Sequence, residues 1–280
     1  MWFVWHKNIC TIKDKMGNVF NLLSFLVLNV LAAGSFVAQV RPSPQEKEIT
    51  FKISVPLEFK GRVVSGPLRQ SDIEGLFDLP VRNGDTNFKE GYGVEMTKTD
   101  GKKFMVYTCR EWKKAQAEQA YSATTYDMAM EGFLIHSCGL LFELQRAKLP
   151  LKSFIANPRV NLANLNLLPA EILSAINEGE AQEKERLRGM TVSEVVASKD
   201  IEKADDEVVT LSYGGFRQSF WEGARADFNG DGVEDILVFT AGRAEGGTMG
   251  YADYFVLTRT GPSGPLKLIQ TKESRQKTDQ

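Results

Sequence analysis

Histidine is almost missing from this chain. Its 280 residues hold His6 and His136 and no others, and only three cysteines. Zinc sites and acid–base centres built on clustered imidazoles are therefore excluded, and no HExxH, GxSxG or Walker sequence occurs to suggest a familiar catalytic frame. Charge of one sign is also lacking: 34 Lys and Arg against 36 Asp and Glu leave a net −2. With no basic stripe and a mildly acidic balance, nucleic acid is a poor partner.

The one long hydrophobic run lies at residues 18–34, NVFNLLSFLVLNVLAAG, behind Lys7, Lys13 and Lys15 and ending in Ala32-Ala33-Gly34. A basic region, an apolar core and small residues in that order make a secretory signal, so residues 1–34 are read as a signal peptide and 35–48 as an exposed spacer. A start at Met16 would discard all three lysines. The alternative is an uncleaved anchor over residues 19–40, which is long enough to span a bilayer and is the one route to a membrane in this reading; Asn21 and Asn29 count against it. In either case the bulk of the chain is expected outside the cytoplasm, periplasmic or extracellular.

Cleavage would leave 246 residues, enough for one large domain or two small ones, and would remove three lysines and one aspartate, taking the net charge from −2 to −4. Cys10 leaves with the signal. Cys109 and Cys138 remain, and in an oxidising compartment two leftover cysteines are expected to pair. No cysteine follows the small-residue cluster, so a lipid anchor has no attachment point.

Periodicity divides the rest. Ile49, Phe51, Ile53 and Val55 alternate with polar residues as in a half-buried strand, and residues 61–69 and 103–108 add strand patterns. The middle is helical: Trp112 to Tyr121, then a long helix from a Thr124/Asp127 cap to about Ala147, stopped at Pro150. Pro169 is placed at the start of a helix over Ala170 to Asn177. Glu178 to Arg188 reads as a charged surface stretch, and Thr191 with Glu194 caps one more helix. From Glu207 the pattern is β again, through VVTLSY, ILVF, YADYFVLT and PLKLIQ, before a polar tail at 272–280 that is expected to be disordered. The fold class is α+β: an α+β region over 49–206 with central helices, and a β region over 207–271 forming a C-terminal meander.

Within that meander, residues 227–235 read DFNGDGVED. Oxygen ligands recur at Asp227, Asn229 and Asp231, Gly232 permits a sharp turn, and Asp235 closes the run. With the main-chain carbonyl of Val233 these supply about five of the six to eight oxygens that calcium takes, leaving the remainder to water or a neighbour. A helix-loop-helix site would need a Glu at the twelfth position, which is Val238, and the flanking residues are of strand type. The loop resembles the calcium loops of FG-GAP and integrin-type propeller repeats, D-x-[DN]-x-D-G-x-x-D followed by an aliphatic strand. The resemblance covers about a dozen residues and implies one calcium ion. A whole propeller would repeat the motif, and there is one copy; Asn83-Gly84-Asp85 and Asp100-Gly101 read as plain turns.

No catalytic residues are assigned. The one polar constellation, Tyr126, Asp127, Glu131, His136, Ser137 and Cys138, lies on the long helix; Asp127 and Glu131 share a face, while His136 lies about 140° round from Glu131. The simpler account is a packing face of Met128, Phe133, Leu134, Leu140, Leu141 and Leu144, carboxylates on or beside solvent, and a hydrogen-bonded His136. The aromatic residues around the calcium loop are read as the core of an antiparallel sheet, with Tyr251, Asp253 and Phe255 alternating across one buried face, and GRAEGGTMG at 242–250 as a hairpin loop near the metal. The expectation is an exported, non-enzymatic calcium-binding protein with a protein or glycan partner. A secreted hydrolase with structural calcium and a membrane-anchored calcium-responsive protein are the alternatives.

Overall fold

Strands that alternate side chains across a sheet need only one apolar face unless both faces are covered. Here both are. The computed structural model describes residues 48–82, 93–155, 165–174, 180–204 and 207–269, all within the unit Glu46–Gln280. The expected signal, most of the spacer, Asn83-Gly84-Asp85 and the polar tail lie outside the described residues. The fold is α+β, with an antiparallel sheet at the C-terminal end.

In chain order the elements are β1 (Thr50–Lys52), β2 (Leu57–Phe59), β3 (Arg62–Val64), β4 (Pro67–Arg69), α1 (Gln70–Ile73), β5 (Val94–Thr97), β6 (Lys103–Val106), α2 (Cys109–Ala117), β7 (Tyr121–Ser122) and α3 (Thr125–Arg146). They continue with α4 (Glu180–Leu187), α5 (Val192–Val195), β8 (Ile201–Ala204), β9 (Val208–Tyr213), β10 (Phe216–Ala226), β11 (Asp235–Ala244), β12 (Gly250–Thr258) and β13 (Lys267–Ile269). β8 to β13 form one meander in which each strand pairs antiparallel with the next. The sheet thus starts at Ile201, not Glu207.

Alternate residues of the meander enter two different cores. Leu237, Phe239 and Val256 join α3 and the N-terminal strands. Ile236, Val238, Leu257 and Phe220 join Leu168, Ile172, Leu187 and Val192. This is why the Ile236–Phe239 run is apolar without alternation, and why one buried face in β12 is the wrong reading: Tyr254 packs towards α3 while Phe255 packs on the opposite core.

α3 starts where Thr124 accepts a hydrogen bond from the Asp127 amide at 3.0 Å, and α2 starts in a Thr108/Glu111 capping box. Its second half, Ser137–Leu144, is buried on every side. Gln70 closes its end, the side-chain amide donating to the Leu144, Gln145 and Ala147 carbonyls at 2.9–3.2 Å; these are the acceptors a helix end leaves open. The sulfurs of Cys109 and Cys138 lie 2.09 Å apart and their α-carbons 5.1 Å apart, tying the first residue of α2 to the middle of α3.

Two helical expectations change. Met128 and Phe133 are 38 % and 40 % exposed while Asp127 and Glu143 are buried, Asp127 beside the Glu95 amide of β5 and Glu143 beneath Tyr254 of β12, whose hydroxyl donates to it. Beyond Pro169 only a 3₁₀ turn forms at Ala170–Ile172. Leu173 is already extended and Ser174 is held by the buried Gln218, whose side chain accepts from the Ser174 amide at 3.0 Å and donates to its carbonyl at 2.6 Å. Tertiary pairing has outweighed helix propensity there; residues 175–177 lie outside the described set. Among the described residues, no helix is long and apolar enough to cross a membrane.

The seat of α3 on the sheet is a pair of glycines. A β-carbon at Gly139 would lie 2.6 Å from a Tyr254 ring carbon, and one at Gly132 would lie 3.2 Å from that of Ala252. Gly139→Ala is expected to lower stability by about 1 kcal/mol, the overpacking strain (~1–3 kcal/mol) exceeding the gain in helix propensity (~1 kcal/mol). Gly132→Ala should be close to neutral. Urea midpoints at unchanged m value measure both.

Candidate metal centre

β10 and β11 pair from Phe216↔Ala244 to Ala226↔Asp235, and the eight residues between them form the predicted loop. Gly230 and Gly232 have φ of +85° and +81°, which non-glycine residues rarely tolerate. Asp227 is buried and organises the turn: its Oδ1 accepts from the Gly230 amide at 2.6 Å and the Asp231 amide at 3.1 Å, and its Oδ2 from the Gly232 amide at 2.9 Å. Asn229 Oδ1 accepts from the Asp231 amide, and Asp231 Oδ1 from the Val233 amide. The loop is therefore wound by its own polar side chains.

Asp235 differs from the others. It is fully buried at the head of β11. Its Oδ2 accepts from the Phe228 amide at 3.0 Å, which brings it across the loop, but Oδ1 has no hydrogen-bond partner. Burial pushes this carboxyl up to about 6, and the Asp231 and Asp227 carboxylates add to the rise. The Phe228 amide opposes it. So does the Thr258 hydroxyl, which faces Asp235 across the β11–β12 ladder without completing a hydrogen bond. A buried carboxylate oxygen with no donor, beside two further carboxylates, is a position where a bound cation would lower the energy.

A strand of β-bridges clamps the loop from outside. The Lys148 amide and carbonyl pair with those of Asp227 at 2.9 and 3.0 Å, the Leu151 and Lys152 amides donate to the Gly232 carbonyl, and the Glu234 amide donates to the Lys152 carbonyl. Beneath it, Arg225 forms a two-armed pair with Glu222 at 3.0 and 3.1 Å, and Glu234 accepts from Ser153 at 2.6 Å. The sequence here shows only a helix stop at Pro150, because nothing in its pattern announces pairing with a loop about 80 residues away.

The predicted ligands are thus on one loop, but they are not arranged as a formed ion cage. Among the described residues, no group of three or more His, Cys, Asp or Glu side chains is disposed to hold a metal ion. Asp227 and Asp231 accept hydrogen bonds from the loop's own amides instead. The donor chemistry still fits calcium: hard carboxylate and amide oxygens, with no nitrogen or sulfur ligand in the loop.

The helix constellation is used structurally. Glu131 accepts from Trp112 Nε1 at 3.0 Å and Ser122 Oγ at 2.7 Å, and Asp127 accepts from the Glu95 amide at 3.2 Å. His136 is a correction: its Nε2 is buried with no hydrogen-bond partner, its ring packs 4.4 Å from that of Phe239, and burial pushes its pKa down to about 4. The glycine-rich loop is another. It joins β11 to β12 at the end of β11 away from Asp235, so the ten-residue strand separates it from the candidate site by about 30 Å. Along its edge Arg217 and Arg243 line an open groove. No family model, no curated protein and no solved structure matches this chain.

The raised Asp235 carboxyl has a definite pH signature in chelator. The folded state keeps this proton to about pH 6 and the unfolded state releases it near 3.8. Between those values the folded state binds more protons, so this group's contribution to stability falls as pH rises. Relative to Asp235→Asn, the wild type should lose roughly 2 kcal/mol between pH 4 and 7. Parallel denaturation curves that keep a constant separation over that range would rule out the buried ionisation.

Proposed function

We propose that residues 227–235 bind one calcium ion that locks the β10–β11 hairpin, and that the protein is an exported, non-enzymatic binding protein stabilised by that ion. The observation that carries this is the unpartnered Oδ1 of fully buried Asp235. Asp227, Asn229, Asp231, the Val233 carbonyl and Asp235 are the ligands, with Asn229 and Asp231 exposed at the mouth. To engage the ion, Asp231 gives up part of its hold on the loop amides, and Asp235 exchanges a proton for a divalent charge.

The role is structural. Calcium is held by consecutive positions of one hairpin with no imidazole beside it, whereas a catalytic metal keeps an open position next to a base. Export rests on the apolar segment at 18–34 and on the pairing distance of Cys109 and Cys138, which suits an oxidising compartment. Extracellular calcium modules bind with dissociation constants of about 0.1–1 mM, so the ion would be acquired after export.

Calcium titration by calorimetry should give one site, and Asp231→Ala should abolish it. With free calcium a hundredfold above the dissociation constant, stability should rise by about 2.7 kcal/mol. Hydrogen exchange should slow first between about Phe216 and Thr260 when calcium is added. Equal protection in chelator and in calcium across that segment would refute the locking role.

A further inference from the structure

We propose that the tip Lys148-Leu149-Pro150-Leu151-Lys152, clamped on the outside of the calcium loop, docks on anionic phospholipid membranes when calcium is bound. The proposal rests on the calcium reading above and adds a partner to it. Leu151 is 91 % exposed and Leu149 43 %. One exposed leucine is ordinary. What is unusual is that the backbone presenting it is fixed: the amides of Lys148, Leu151 and Lys152 and the carbonyls of Lys148 and Lys152 are all paired to residues 227–234. Leu151 also covers Gly232, its Cδ1 lying 3.3 Å from where a β-carbon would stand. The apolar side chain is therefore held out by the same turn that is to carry the ion.

The chemistry on either side selects the occupant. Lys148 and Lys152 flank the leucines and both are exposed, so leucines would enter the acyl boundary while ammonium groups meet phosphates. Five residues are too few for a stable protein interface, which buries about 1,200 Å² or more and uses aromatic or arginine anchors; a lipid surface needs neither. Calcium is required because Asp227, Asp231 and Asp235 would otherwise repel anionic headgroups from beside the tip. The Lys148 ammonium, 3.7 Å from where a Gly230 β-carbon would stand, leans over that loop, and a divalent ion bound there would drive it outward towards the lipid. One apolar tip with two cations gives weak, reversible attachment.

The test uses the full exported chain with vesicles of phosphatidylcholine alone or mixed with phosphatidylglycerol, sedimented in calcium or in chelator. Binding should require both calcium and the anionic lipid. The Leu149→Ser/Leu151→Ser double variant should bind at least about tenfold more weakly with calcium heats unchanged, and Lys152→Glu should also bind more weakly. Vesicle binding that is equal in the wild type and the leucine variant overturns the tip and assigns attachment elsewhere, the apolar segment at 18–40 included. Calcium heat without vesicle binding overturns the tip while leaving the calcium site standing. Absence of both overturns the tip together with the site. Association between copies that the leucine variant loses, with no vesicle binding, would assign the tip to a second copy and overturn the lipid proposal.

Discussion

β11 is covered by core on both faces, and it begins with a carboxylate. Six consecutive residues from Asp235 to Thr240 are buried, so the strand has no solvent side to which the first of them could turn. Everything at this end of the sheet follows from that conflict. The charge is placed at the strand terminus rather than within it, one oxygen is satisfied by the Phe228 amide across the loop, and the other faces the Thr258 hydroxyl without completing a hydrogen bond. An unsatisfied buried polar atom costs about 1–3 kcal/mol, and more when it is charged.

The covering layers make that burial unavoidable. α3 can approach the sheet closely because Gly132 and Gly139 face Ala252 and Tyr254, and it is also packed by α1, α2, β5 and β7. The opposite face is closed by residues 165–174 and 187–196, pinned through Gln218 to Ser174 and through Pro169 pairing with Thr191. The β10 strand bulges at Gly223, where a β-carbon would meet Phe239 at 2.5 Å, and the chain after β1 docks at that bulge, Ser54 donating to the Gly223 carbonyl. The loop at 227–234 thus joins two strands that are framed on both faces.

Local chemistry was legible in the sequence because it depends on near neighbours. The Thr124/Asp127 start of α3, the Thr191/Glu194 capping box and the strand–loop–strand setting of 227–235 all rest on residues within a few positions of one another, and each is found. What could not be read depends on distant partners. The unbroken apolar run Ile236–Phe239 marks a strand covered on both faces, but it does not name the segments that cover it. Asp127 looks solvent-facing until β5 is laid beside it. The helix expected beyond Pro169 has the right composition, but Gln218 takes the Ser174 backbone instead. Of the candidate site, the ligand types were legible and the distinction of Asp235 from the other carboxylates was not, since burial is a property of the sheet.

The competing account of the loop is that Lys148 supplies the counter-charge and no ion is needed. Position argues against it. Lys148 approaches from the Gly230 side of the turn, where Asn229 and Gly230 are exposed, whereas the unpartnered oxygen is at Asp235, wholly buried at the head of β11. A flexible ammonium in water near the mouth contributes little, about 1 kcal/mol at most for such an exposed pair. It also cannot donate to a carboxylate oxygen that it does not reach. A small divalent ion drawn in among Asp227, Asn229, Asp231 and Asp235 would meet both needs together, the charge of the loop and the missing partner of Oδ1. The amide contacts of Asp227 need not break for this, since each carboxylate oxygen has lone pairs enough to accept from an amide and bind a cation.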